Sequence, residues 1–122
     1  MPHTLSLRDG GLLRTFTGTI TGSEIIEANL KLHGNYIFDD LNYVINDFSR
    51  INDCIFEEDD LLTLKTFDDV ASLSKSHLKI AIIVTMDAFI DLAKIYCESM
   101  RQSSYDAKIF SSLACASKWT MK

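Results

Sequence analysis

Apolar and polar residues alternate along positions 4–16, in a pattern that is typical of paired strands. Asp9-Gly10 lies between the two stretches and predicts a two-residue turn, because a type I′ turn needs positive φ at both central positions. That turn places Leu7 opposite Leu12 across a hairpin. One face of the hairpin then carries Leu5, Leu7, Leu12 and Phe16. Arg14 falls on this apolar face as its exception.

Helical spacing follows the hairpin. The segment TGSE at 21–24 matches a capping box, in which Thr21 accepts a hydrogen bond from an N–H of the first turn and Glu24 reaches back. His33-Gly34 predicts the C-terminal end of this helix. The next run, LNYVINDF at 41–48, is short and bounded by polar residues, which indicates a strand that is covered on both faces. We expect this strand to end near Asp47.

The same alternation continues to the end of the sequence. Residues 57–76 have helical spacing, and a broken helix that is re-capped at 66–69 stays an open alternative. Its predicted buried stripe is Leu61, Leu64, Phe67, Val70, Ala71 and Leu73. LKIAIIV at 78–84 predicts a central, buried strand, and TMD at 85–87 opens a third helix. The apolar stripe of that helix is Phe89, Ala93, Tyr96, Cys97 and Met100. DAKIFSS and LACASKW predict a last short strand and a terminal helix that lays Trp119 back on the domain.

The predicted order is a hairpin followed by α, β, α, β, α, β and α. Strands that alternate with helices at this spacing imply right-handed crossovers and a parallel sheet. We therefore predict an α/β fold, with a mainly parallel sheet of four to five strands flanked by helices and with one antiparallel edge strand from the hairpin. The length and the even composition predict one domain over residues 1–122.

Composition and charge exclude several classes of partner. The net charge is −5 and the isoelectric point is near 5.0, which argues against nucleic acid and against anionic membrane surfaces. The longest apolar run, 80–84, is far shorter than the roughly 20 residues that cross a bilayer. The N-terminus has no apolar signal core, so we expect a cytoplasmic protein.

The three cysteines predict reduced thiols, because their number is odd and no CxxC pair occurs. Cys97 and Cys115 fall on apolar helix faces and are expected to be buried. Cys54 is predicted to lie in an acidic loop. Negative neighbours raise the pKa of a thiol, which argues against a reactive thiolate at Cys54.

In open α/β sheets, ligands bind beyond the carboxyl ends of the strands. The segments expected at that edge are 17–19, 47–49, 85–87 and 111–112, and helix caps and turns account for each of them singly. A nucleotide site is rejected, since the chain has no glycine-rich phosphate motif and the helix after Asp47 opens with the acids 57–60. The sequence indicates no metal site, no cofactor and no catalytic motif, so we expect a protein that is not an enzyme.

The pattern over nearly the whole chain resembles the small SpoIIAA-like, or STAS-like, family of bacterial proteins. The segments that carry the resemblance are TGTITGSE, FDDLNYVINDFS, LKIAIIVT and AKIFSSLACASKW. The resemblance implies a parallel sheet flanked by helices in a repeated βα superhelix. Some relatives are grouped with the CRAL-TRIO fold, whose members hold lipids in an apolar pocket.

Anti-sigma-factor antagonists are the best-known STAS proteins. In them, a strand that ends in Asp-x-Ser leads to a serine at the start of the next helix, and a kinase phosphorylates that serine. The segment NDFS here is similar to the Asp-x-Ser end of that strand. The matching helix start has no serine or threonine; Asp53, Cys54, Glu57 and Glu58 stand in its region. The resemblance therefore implies a domain without this switch, in which Ser49 remains a residue that a kinase can modify in principle.

Three hypotheses of function follow. The first is a non-enzymatic binding domain for an unidentified protein partner, with homodimer formation as a further option. Its predicted contact residues are Asp47, Ser49, Asp53, Glu57, Glu58, Thr85 and Asp87, with an apolar patch at Tyr36, Ile37 and Phe38 that in the alternative covers the edge of the sheet. The second is a carrier of a lipid or another small apolar ligand, in a pocket lined by Phe48, Phe67, Phe89 and Met100. The third is a hydrolase that uses Ser49 or Ser23.

Overall fold

The computed structural model describes residues 3–8, 10–33, 38, 40–74, 78–101 and 105–121. The elements in chain order are β1 (His3–Arg8), β2 (Gly11–Thr21), α1 (Gly22–His33), β3 (Tyr43–Ile55), α2 (Glu58–Ser74), β4 (Leu78–Ile83), α3 (Asp87–Ser99), β5 (Tyr105–Phe110) and α4 (Leu113–Thr120). The strands form one five-stranded sheet in the order β1-β2-β3-β4-β5. The strands β2 to β5 are mutually parallel. The predicted α/β class, with a parallel sheet and flanking helices, is confirmed.

The strand β1 lies at one edge and runs antiparallel to β2. Its register pairs Leu7 with Leu12 and Arg8 with Gly11. Gly10, in the connection between the two strands, has φ +74°, a conformation that residues with a Cβ rarely adopt. Asp9, the other predicted turn residue, lies outside the described residues.

Helices cover both faces of the sheet. Apolar side chains of α1, α2 and α3 pack with Leu12, Phe16 and Val44 in the larger core. On the other face, Ala116 of α4 packs with Tyr43 of β3 and with Ala81 and Ile83 of β4. The strand β4 is buried as predicted but lies between β3 and β5, so the middle strand of the sheet is β3.

The prediction that β3 ends near Asp47 is wrong. The strand has 13 residues and pairs with β4 only as far as Asp47, which lies opposite Ile83 at the end of β4. Beyond that point it pairs with β2 alone, up to Thr21 opposite Ile55. Two shifts of register in this ribbon each leave one extra residue in β3, which are β-bulges that bend the strand. The segments 17–19 and 47–49 are therefore parts of strands and not loops at the sheet's edge.

The predicted start of α1 is confirmed. Thr21 Oγ1 accepts a hydrogen bond from the Glu24 N–H at 3.2 Å and donates one to Glu24 Oε1 at 3.1 Å. The helix ends at His33, as predicted. Thr21 is also the last residue of β2, so the strand and the helix meet at this cap without a loop between them.

The helix α2 is continuous, so the alternative of a re-capped break at 66–69 is wrong. Its predicted buried stripe is only partly right. Leu64 is buried, whereas Phe67 and Val70 are 37% and 62% exposed. The position that continues the buried face is Asp68, which is 1% exposed and follows Leu61 and Leu64 at helical spacing. A carboxylate thus stands where an apolar side chain is expected.

The last two helices agree with the sequence analysis in most respects. The stripe of α3 is confirmed, with Phe89, Ala93, Tyr96 and Met100 buried and Cys97 half-buried. The indole of Trp119 packs on Phe110 at a ring distance of 5.4 Å. The expectation that Cys115 is buried is wrong, because this thiol is exposed. Within the part of the chain that the structure describes, no helix is long and apolar enough to span a membrane.

Candidate ligand-binding site

A buried arginine lies on the apolar face of the sheet. Arg14 in β2 is 3% exposed, and the buried side chains of Leu12 and Phe16 flank it on the same face. Arg14 lies opposite Asn46 in the register of β2 and β3, and its Nε donates to Asn46 Oδ1 at 2.7 Å. The parallel pairing of two polar residues on one face thus builds the first part of the site.

Helices α1, α2 and α3 extend this contact into a network. Arg14 Nη2 donates to Asn29 Oδ1 at 2.7 Å. Asn29 Nδ2 in turn lies 3.4 Å from Asp68 Oδ1. The Tyr96 hydroxyl donates to Asp68 Oδ2 at 2.5 Å. Each of the three helices on this face of the sheet therefore contributes one polar side chain to the same cluster.

The charges in the cluster are separated by a neutral amide. Asn29 accepts a hydrogen bond from Arg14 and lies next to Asp68, so it links the guanidinium to the carboxylate in this network. Burial lowers the pKa of Arg14 to about 10, and the nearby Asp68 charge opposes the shift. Burial, the charge of Asp68 and its hydrogen bond raise the pKa of Tyr96 well above its ordinary value. Arg14 is thus a desolvated cation at neutral pH.

One part of the guanidinium remains unused. Arg14 Nη1 is buried and has no hydrogen-bond partner among the described residues. A buried donor that lacks a partner costs about 1–3 kcal/mol, so such groups are rare in folded proteins. Arg14 is thus held by Nε and Nη2, and its Nη1 is a buried donor with capacity for a further hydrogen bond.

A cavity of about 50 Å³ lies beside Arg14, between the sheet and the helices α1, α2 and α3. Its polar lining is Arg14, Asn29 and Asn46, with the Tyr96 ring alongside. The remaining lining is hydrocarbon or aromatic: Ile25, Phe48, Phe56, Leu61, Leu64, Ile82, Phe89, Leu92 and Ala93. The site therefore combines one charged polar end with an apolar body.

Aromatic side chains form a continuous wall of this cavity. The Phe48 ring stacks on Phe16 at 4.5 Å and meets Phe89 edge-on at 4.8 Å. Phe89 also makes an edge contact with Phe56 at 6.2 Å. The Arg14 guanidinium carbon lies 5.7 Å from the centre of the Phe16 ring, within cation–π distance. These contacts hold both the wall and the cation in place.

A smaller cavity of about 20 Å³ adjoins the same network and shares Arg14, Asn29, Asn46 and Tyr96 with the first. Phe38 is part of its lining and is 3% exposed. The prediction that Phe38 belongs to an exposed apolar patch is therefore wrong, because its side chain lies in the core. Tyr36 and Ile37, the other members of that patch, lie outside the described residues.

The structure brings two of the four predicted pocket residues to the cavity. Phe48 and Phe89 line the cavity. Phe67 points away from the core and is 37% exposed, and Met100 is buried but is not part of the lining. The helical period explains the error at Phe67, because Asp68 takes the inward position of that turn.

The Asp47–Ser49 pair has a local structural role. Asp47 Oδ1 accepts hydrogen bonds from the Ser49 N–H at 2.9 Å and from the Ser49 hydroxyl at 2.6 Å. Asp47 pairs with Thr15 and Arg50 pairs with Thr17, so two residues of β3 lie opposite one residue of β2. The Asp47–Ser49 contact lies within this first bulge. Asp47 is buried and Ser49 is exposed.

The other predicted contact residues serve the backbone or face solvent. Asp53 Oδ1 accepts from the Cys54 N–H at 2.8 Å, and the Glu57 N–H donates to Asp60. Thr85 and Asp87 are exposed. The side chain of Glu58 lies outside the described residues. None of these described residues lines the cavity, so the structure does not bring the predicted contact set together there.

The environment of Cys54 agrees with the sequence analysis in part. Burial, the larger cause, and the charges of Asp53 and Asp60 raise the pKa of this thiol to about 11. Cys54 lies in β3 and not in an acidic loop.

No family model matches the chain, and no curated protein matches its sequence. Its structure is similar to that of an uncharacterised protein of the DUF3478 family, with a SpoIIAA-like fold, from Shewanella loihica. The two chains are 11% identical and superpose with a TM-score of 0.57, over 97% of this chain and 91% of the other. The chain therefore has a SpoIIAA-like fold, as the resemblance in its sequence implies.

Proposed function

We propose that the protein is a non-enzymatic binding domain that holds a small molecule in the cavity between its sheet and α1, α2 and α3. The observation that carries this proposal is a cavity of about 50 Å³ that is lined by the buried Arg14 and by two asparagines. Natural cores are close-packed and pair their buried polar groups. A void lined by a buried charged residue, whose Nη1 has no hydrogen-bond partner among the described residues, favours binding over ordinary packing.

The size of the cavity favours a small molecule over a lipid chain. Its volume of about 50 Å³ is room for about four water-sized centres. Cavities that take up benzene are roughly three times larger. The carrier hypothesis is thereby narrowed to a ligand of a few heavy atoms, whose apolar part contacts the aromatic wall.

The lining supports binding by its chemistry. Guanidinium, amide and phenol groups donate or accept hydrogen bonds, and the leucine and phenylalanine side chains supply apolar contact. This combination orients a ligand and shields it from water.

Nuclear magnetic resonance with three two-carbon probes tests the proposal. Acetate, acetamide and ethanol, which are smaller than benzene and suit the size of the cavity, are each titrated into the ¹⁵N-labelled protein. We expect at least one probe to shift the amide signals of Phe48, Phe89 and Ala93, which line the cavity. If none of the three shifts these signals at millimolar concentration, the proposed function is wrong.

A matched pair of variants places the binding. Ala93→Leu fills the cavity from α3, whereas Ala114→Leu adds the same atoms to an exposed position of α4. We expect Ala93→Leu to abolish the shifts and Ala114→Leu to retain them, with melting temperatures showing that both variants are folded.

A second candidate function is protein interaction, the first hypothesis of the sequence analysis. The partner considered for it is a second copy of the chain. The observation in its favour is the outer face of α2, where Leu62 and Val70 are 64% and 62% exposed on the same side of the helix. Light scattering after gel filtration tests it. A dimer that Val70→Lys dissociates supports this candidate, and a monomer at all concentrations contradicts it.

A further inference from the structure

Asn46 lies at the centre of the floor of the larger cavity. Its neighbours across the sheet are Arg14 in β2 and Ile82 in β4, and all three residues line that cavity. Asn46 belongs to the middle strand of the sheet, lies beneath the helices of this face and is 8% exposed. Its remaining accessible surface therefore faces the cavities that it lines.

The amide of Asn46 has a fixed orientation. Arg14 Nε can only donate, so the amide atom 2.7 Å from it is Oδ1, and Nδ2 is turned away from Nε. Nδ2 donates to none of the described residues, and in contrast to Arg14 Nη1 it is not closed off from a molecule of the size of water. The floor of the cavity thus presents an accessible hydrogen-bond donor that has capacity for a ligand.

The other polar groups at this end of the cavity are engaged with one another. Asn46 Oδ1 and Asn29 Oδ1 accept from Arg14, and the Tyr96 hydroxyl donates to Asp68. The guanidinium is held by Nε and Nη2, and its Nη1 is inaccessible. A molecule in the cavity therefore meets a neutral amide donor and hydrocarbon, which suits an occupant that accepts one hydrogen bond and carries no charge.

We propose that the ligand is a small neutral carbonyl compound, whose oxygen accepts a hydrogen bond from Asn46 Nδ2 and whose hydrocarbon part lies against Phe48 and Phe89. This inference rests on the proposed function and specifies the class of ligand. The volume of the cavity limits the ligand to about four heavy atoms. A carboxylate fits less well, because its charge would be buried without an accessible cation in contact.

The wild-type protein tests the inference with matched probes. Acetamide and acetate have nearly the same shape and differ in charge. We expect acetamide to bind at least about tenfold more tightly than acetate, as measured by the amide signals of Phe48, Phe89 and Ala93. We also expect acetamide to shift the ¹⁵N–¹H signals of the Asn46 side-chain amide, a measurement that needs no variant.

Substitution of the amide supplies a second measurement with acetone, which accepts a hydrogen bond but cannot donate one. Asn46→Asp keeps an acceptor for Arg14 Nε and removes the donor, whereas Asn52→Asp makes the same change at an exposed position of β3. We expect acetone to bind the wild type and Asn52→Asp alike, and to bind Asn46→Asp at least about tenfold more weakly. If Asn46→Asp does not fold, the Asn46 side-chain signals of the wild type decide.

The outcomes separate the two claims. Binding of acetate or ethanol that equals or exceeds that of acetamide overturns the carbonyl inference and leaves the proposed function standing. Binding of acetamide without a change in the Asn46 side-chain signals, or binding of acetone that Asn46→Asp retains, overturns the inference as well. If acetate, acetamide and ethanol all leave the cavity signals unchanged, the proposed function and this inference are both wrong.

Discussion

The hydroxyl of Tyr96 donates a 2.5 Å hydrogen bond to Oδ2 of Asp68, and this contact joins α3 to α2 beneath the surface. Asp68 is 1% exposed and Tyr96 is 6% exposed, so water does not replace the bond when it is broken. A buried carboxylate depends on its donors, because its charge is costly to bury unpaired. The two residues therefore act as one unit in stability.

The first prediction concerns this unit. Tyr96→Phe removes the hydroxyl and should lower the free energy of unfolding by about 1–3 kcal/mol. Urea denaturation of Tyr96→Phe, Asp68→Asn and the double variant forms a double-mutant cycle. We expect a coupling energy of at least about 1 kcal/mol between the two positions. Additive effects would show that the bond contributes nothing of its own.

The second prediction concerns alkaline pH. The pKa of Tyr96 is raised above its ordinary value of 10.0, chiefly by burial. Above that value the unfolded chain loses the phenolic proton and the folded chain keeps it, so stability falls as pH rises. The slope for one proton is about 1.4 kcal/mol per pH unit. Urea denaturation between pH 8 and 11 should show this loss, and Tyr96→Phe should reduce the slope. An unchanged slope in the variant would refute the assignment.

The third prediction concerns Ser49. Its hydroxyl and N–H both donate to Asp47 Oδ1, so a negative group at this position meets a carboxylate. Ser49→Asp should lower the free energy of unfolding by about 0.5–1.5 kcal/mol more than Ser49→Asn does, because charge repulsion adds to the lost hydrogen bond. Thermal or urea denaturation measures the difference. Equal stabilities would mean that the ribbon tolerates a charge, and phosphorylation of Ser49 would then be harmless to the fold.

The fourth prediction concerns thiol reactivity. Cys115 is exposed, whereas burial raises the pKa of Cys97 and of Cys54 to about 11. At pH 8 this shift leaves Cys54 and Cys97 with roughly 100-fold less thiolate than at the ordinary thiol pKa of 9.0, and their burial also hinders the reagent. Iodoacetamide labelling followed by peptide mass spectrometry should therefore find Cys115 modified first. In Cys115→Ser the fast phase should disappear, and early labelling of Cys54 would contradict the burial described here.

The fifth prediction concerns the start of α1. Thr21→Ala removes the cap on the Glu24 N–H and should lower the free energy of unfolding by about 1 kcal/mol, while Thr21→Ser should have little effect. Thr19→Ala changes an exposed threonine of the same strand and is the matched control. A similar loss in both alanine variants would point to strand propensity and not to the cap.

The sequence predicts the order of elements well, because hydrophobic periods and caps are local signals. Thr21 and Glu24 predict the start of α1, and the β-branched run at 78–84 predicts β4. The extension of β3 is not predictable in the same way. Its polar segment after Phe48 forms a strand because it pairs with β2, in a register that contains two bulges. This pairing joins residues that are far apart in the sequence.

The site is only partly visible in the sequence. Arg14 stands out as a charge among apolar positions of the hairpin, and this signal does mark the centre of the buried network. Asp68 has no such signal, since an Asp-Asp pair in a helix is typical of a solvated surface. Its burial depends on how α2 is rotated against α1 and α3, which a single sequence does not specify.

The long ribbon of β2 and β3 carries part of the cavity wall beyond the β3–β4 ladder. Phe48 lies in β3 just after the last residue pair with β4, and Phe56 follows the end of the ribbon, yet both line the cavity with Ile82 of β4. This part of the wall is therefore built by side chains that no backbone pairing joins to β4. We expect rotation of Phe48 or Phe56 to change the width of the cavity without unpairing a strand.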